Sequence, residues 1–80
     1  MDTHTADQTL LNHIQKLVAQ EHRLQAEAET EEDRAHLRGV QVELDQAWDL
    51  LRQRRALRAS GQDPDKAQVR PPQVVEKYEQ

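Results

Sequence analysis

Apolar residues recur along this chain at helical spacing, in two blocks separated by a short acidic break. In the first block Leu10, Ile14, Leu17, Leu24 and Ala28 follow at intervals of three, four or seven. After Thr30-Glu31-Glu32-Asp33 the rhythm restarts with Leu37, Val40, Leu44, Ala47, Trp48 and Leu51. Such spacing places each set on one face of a helix. The short break turns the second helix back along the first. The pattern therefore predicts an all-α chain: an antiparallel two-helix hairpin, with helices over about residues 7–28 and 31–60. At 100° per residue, the apolar positions of the first helix, including Leu11 and Val18, span an arc of about 140°. That arc is wider than a two-stranded seam needs, and Leu11 and Val18 lie on its flank, open to a second contact.

The ends carry their own signals. Asp7 or Thr9 is expected to cap the first helix. Thr30 and Asp33 form a capping-box pattern, with Asp in place of the preferred Glu or Gln. Glu31, Glu32 and Asp33 then occupy a first turn, where the helix dipole favours acids. Gly61 is placed to stop the second helix in a left-handed conformation. Gly39, inside that helix, is expected to allow close approach of the first. In an antiparallel hairpin, seam partners have residue numbers summing to about 61. Leu24 then meets Leu37, Leu17 meets Leu44, Leu10 meets Leu51, and Ile14 falls near Trp48.

Residues 1–60 thus form the hairpin and 61–80 a tail with a turn and three prolines. Gly61-Gln62-Asp63-Pro64-Asp65 is a turn sequence. Pro71-Pro72 favours extended backbone, and Pro72 can open a short terminal helix with Val74, Val75 and Tyr78 on one side. That helix is expected to dock on Leu50 and Leu57, which point away from the seam.

Composition adds the need for company. The chain has 80 residues, 35% hydrophobic, with one Trp, one Tyr and no Phe. It can build only a thin aliphatic seam, and small domains bury too little surface to be robust alone. Two hairpins pairing into a four-helix dimer is the simplest remedy, with the apolar positions from Leu10 to Leu57 named above as its interface. A protein partner of another kind would serve the same need. The absence of cysteine excludes a disulfide framework and thiolate chemistry, and fits the cytosol. No apolar run approaches the roughly 20 residues that span a bilayer. Met1-Asp2-Thr3-His4 lacks the basic flank and apolar stretch of a signal peptide. The net charge of −4 weighs against general nucleic-acid binding.

Few residues suggest chemistry. Glu21 lies in the apolar arc of the first helix, where a carboxylate is costly unless it reaches solvent or a partner such as Arg38. It can also act as a polar layer that sets register, as in coiled coils. Arg52, Arg54, Arg55 and Arg58 form a basic run that can contact anions and carries the alternative of a nucleic-acid accessory factor. No aromatic interleaves it to stack bases, and a helix C-terminus favours arginines on dipole grounds alone. A metal-binding bundle built on Glu21, Asp33 and His36 needs a fuller carboxylate–histidine pattern than this chain carries, and His36 points away from the seam. No metal site and no cofactor is expected. Catalytic motifs are absent: there is no phosphate loop, no nucleophile elbow, and a single serine, Ser60. The chain is therefore read as a non-enzymatic, self-associating interaction module. Acids gather at the hairpin tip and arginines at its open end, so the expected dimer pairs tip to base.

The string Leu44-Asp45-Gln46-Ala47-Trp48-Asp49-Leu50-Leu51-Arg52-Gln53-Arg54-Arg55-Ala56 is specific. With Leu17-Val18-Ala19-Gln20-Glu21-His22-Arg23-Leu24, the Gly61 turn and the Val69 to Tyr78 tail, it resembles a family of short actinobacterial proteins that carry a domain-of-unknown-function label. The resemblance spans nearly the whole chain. It implies a small cytoplasmic bacterial protein and brings no activity, cofactor or site residue. Gln20 stands where the family often has the first of two acids before His22.

Overall fold

The structure, a computed structural model, describes residues 3–75, with side chains from Ala6 onward. Helix α1 spans Thr3–Glu27 and α2 spans Glu31–Ala59. A 3-10 turn follows at Pro64–Lys66, then a short helix α3 at Pro72–Val75. The described residues hold no strand. The two long helices pack against each other as the periodicity predicts, and Asp7 near the start of α1 bonds Arg54 near the end of α2. Their numbers sum to 61, so the pair lies on the register read from the sequence.

The turn between the helices is fixed by its caps. The Asp33 N–H donates to Thr30 Oγ1 at 3.1 Å, and the Thr30 N–H returns a bond to Asp33 Oδ2 at 3.3 Å. Glu29 N–H donates to the same carboxylate oxygen. These donors, Glu29's first, hold the Asp33 carboxyl below its ordinary range. At the other end Gly61 takes φ +77°, while Gln62 N–H reaches Leu57 O and Gly61 N–H reaches Arg58 O. This is a Schellman ending, and glycine enters it without the penalty a Cβ would bring.

Ile14 and Leu17 of α1 interlock with Val40, Leu44, Ala47 and Leu51 of α2 in one small core. Leu10, Leu11, Val18, Leu24 and Trp48 pack against its edge and stay half-buried. Leu37, expected in the seam, is half-buried too but is not part of this cluster.

Two expectations fail locally. The first helix begins at Thr3, so neither Asp7 nor Thr9 caps it. An ion pair with α2 claims the Asp7 side chain instead. Gly39 does not admit a close neighbour: it is exposed, and a Cβ there would meet nothing within 4 Å.

Candidate interaction surface

The tail is not free. It folds back as a strap along α2, held by a polar stripe that helical spacing puts on one face: Gln46, Asp49 and Gln53. Gln46 Nε2 donates to Arg70 O at 3.2 Å. The Gln53 side-chain amide donates to Gln68 O at 2.7 Å and accepts from Gln68 N–H at 3.3 Å. Asp49 is 1% exposed and takes Arg70 in a two-pronged pair, with Nε to Oδ2 at 2.8 Å, while Gln53 Nε2 bonds Oδ2 at 2.8 Å. Arg70 above all, then Gln53, holds the Asp49 carboxyl below the usual range against the cost of burial. Val75 closes the strap, fully buried. The expected partner Tyr78 lies outside the described residues.

A second polar centre ties three elements together. Arg54 is only 7% exposed. Its Nε donates to Asp7 Oδ1 at 2.6 Å, and its Nη1 to Asp65 Oδ1 at 2.9 Å and Pro64 O at 3.3 Å. Arg58 pairs with the other oxygen of Asp7. Arg54 leads in holding the Asp7 carboxyl below its ordinary range, against the cost of burial and with Arg58 adding to the effect. Two of the four arginines read as an anion site are therefore held in ion pairs, Arg54 buried and Arg58 at the surface. Arg52 and Arg55 remain on the exposed surface.

The strap divides the hairpin into two unlike flanks. On one, Leu10, His13, Gln46, Ala47, Leu50 and Val69 line a shallow groove beside the tail, with Val69 63% exposed. Leu50 thus does lie beside the chain's own tail. Leu57 lines another depression at the base with Gln53, Ser60 and Lys66. No described residue of the tail lines the opposite flank. Val18, Glu21, Gln41, Leu44, Asp45 and Trp48 line an open groove there. Leu11 stands two turns before Val18, and Leu37 three turns before Trp48, on the same side of their helices.

Glu21 sits on this open flank, half-buried, and makes no hydrogen bond or ion pair among the described residues. Arg38, its suggested partner, pairs with Glu31 instead. Asp33 and His36 lie by the tip, Asp33 serving as a cap and His36 exposed. Among the described residues no three His, Cys, Asp or Glu side chains are grouped to hold a metal ion. None of their helices is long and apolar enough to cross a membrane.

Sequence reasoning found the apolar flank and expected the tail to dock on the hairpin, but missed the polar contacts that hold the strap. The signal was an acid inside the apolar string Trp48-Asp49-Leu50-Leu51, which demands a cation, together with Arg70 placed just before two prolines.

Comparison with known proteins agrees with the resemblance seen in the sequence. The family model described as a protein of unknown function (DUF2630) matches residues 6–80. Uncharacterized proteins of Mycobacterium tuberculosis (strain H37Rv) and Mycobacterium bovis are each 51% identical to the chain over 78 residues, covering 90% of it and 88% of the relative. No solved structure matches the chain.

Proposed function

We propose, from the premise that this chain belongs to the DUF2630 family of proteins of unknown function, that it works by association and not by catalysis. It is a helical hairpin that pairs with a second copy through its open flank and so serves as an interaction module. One observation carries this reading. The strap runs beside the Leu50 side of the hairpin, while Leu11, Val18 and Trp48 stay half-buried on a flank that no segment of the described chain overlies. Apolar surface of this kind, rimmed by polar residues, marks an association site. A flank about 37 Å long and about 10 Å wide buries about 740 Å² over two copies, below the roughly 1,200 Å² at which stable specific interfaces begin and in the range of weak, transient ones. The dimer is therefore weak, on the order of micromolar. The nucleic-acid reading gains no comparable support, because Asp7 and Asp65 already neutralise Arg54 and Arg58.

Trp48 is the sole tryptophan and reports directly on the flank. Concentrating the protein through the micromolar range should shift its emission to the blue as light scattering shows the mass doubling. Val18→Glu should remain monomeric at every concentration while keeping its helical circular dichroism. A wild-type chain that stays monomeric up to millimolar concentration would refute the proposal.

A further inference from the structure

Resting on that reading, we infer that the two copies pair tip to base, about a two-fold axis near Val18, so that Trp48 of one copy meets Leu37 of the other. A two-fold dimer uses the same patch twice, so the patch must complement itself. The hairpin register, in which numbers sum to 61, puts Val18 level with the middle of α2. Turning a second copy end for end about that level lays α1 over α1 and α2 over α2, so that position 18 of α1 meets itself and position 48 of α2 comes opposite position 38. Leu37 stands beside it, half-buried and outside the core cluster. Trp48 falls by the same operation between Leu37 and Gln41 of the second copy. Val18 thus meets its own copy, and Trp48 meets Leu37 across the axis.

Charge selects this arrangement over the parallel one. Around the tip Glu27, Glu29, Glu31, Glu32 and Asp33 face only Arg34 and Arg38, a net of −3. From 52 to 66, with Asp7, the base holds Arg52, Arg54, Arg55, Arg58 and Lys66 against Asp7, Asp63 and Asp65, a net of +2. Tip against base is attractive. Tip against tip places like charge together, which complementary interfaces avoid.

The chain has no cysteine, which makes the geometry testable by disulfide trapping. Within one chain, Leu37 and Trp48 are 11 residues apart on α2, about 16 Å at 1.5 Å per residue. No internal bridge can form over that distance, since a disulfide needs Cα atoms within about 7 Å. Leu37→Cys and Trp48→Cys proteins, mixed in equal amounts and oxidised gently, should give the mixed disulfide in excess of the half that random pairing yields. Both homodisulfides in excess, from a chain that light scattering shows to be dimeric, would overturn tip-to-base pairing and leave association standing. No disulfide, from a chain that scatters as a monomer, would remove both. The unaltered protein supplies a second check. Added salt should weaken a tip-to-base dimer by screening the attraction, and a dimer that tightens with salt contradicts it.

Discussion

Removing the Arg54 guanidinium tests how far one side chain holds the three parts of this fold together. Arg54→Met keeps much of the apolar stem and deletes the donors to Asp7, Asp65 and Pro64. Breaking a buried ion pair by removing one partner costs about 3–5 kcal/mol, because a charge is left buried alone. Two features reduce that here. Arg58 still faces one Asp7 oxygen, and the Asp65 side chain is 59% exposed, so its pair contributes about 1 kcal/mol or less. The Asp7 side chain, 14% exposed, carries most of the loss. The expected destabilisation is about 2–3 kcal/mol, or roughly 10–20 °C in Tm for a domain of this size. Thermal melts followed by helical circular dichroism measure it, at fixed protein concentration because association shifts Tm. Pairing the variant with Asp7→Asn in a double-mutant cycle should give a coupling of at least about 1 kcal/mol. A Tm loss under about 3 °C, with additive effects, would mean that Arg54 behaves as a solvated surface arginine and would refute the account of the base.

Acid should open the structure from the polar centres. The Asp7 and Asp49 carboxyls are held below their unfolded range, near 3.9, by their arginines. Their contribution is complete above that value and is lost as pH falls through the folded pKa values. Helical signal should therefore hold from neutral pH to about pH 5 and fall below about pH 4. Arg70→Met should move that acid transition to higher pH, and an unchanged or lower midpoint in a pH titration would count against the Asp49–Arg70 pairing. The two glycines should respond to alanine with opposite signs in urea melts. Gly39→Ala gains up to about 1 kcal/mol, because the site is helical, exposed and open. Gly61→Ala loses about 1 kcal/mol, because φ is +77°.

Periodicity and punctuation determined much of this protein without reference to its fold. The two stripes specify the helices, Thr30 and Asp33 specify the turn, Gly61 specifies the stop, and their register predicts that position 7 lies level with position 54. These are local properties, carried by residues a few positions apart, and a helix or cap forms from them wherever they occur. Function was less legible. The apolar flank of Leu11 and Val18 could be seen as an excess, and Leu50 and Leu57 as a place for the tail, but nothing local said which polar groups would hold it there. Asp7 carries the signature of a cap and Arg54 that of a solvated helix end, since charge and spacing alone favour both readings. Only the packing of the hairpin brings those two side chains within 2.6 Å and buries them. Likewise Asp49 and Arg70 find each other only once the strap has folded back along α2. Ion pairs across such separations depend on where the backbone places two distant residues, and sequence spacing carries no information about that distance. The tertiary structure therefore decided which charges serve the fold and which flank the described part of the tail leaves uncovered.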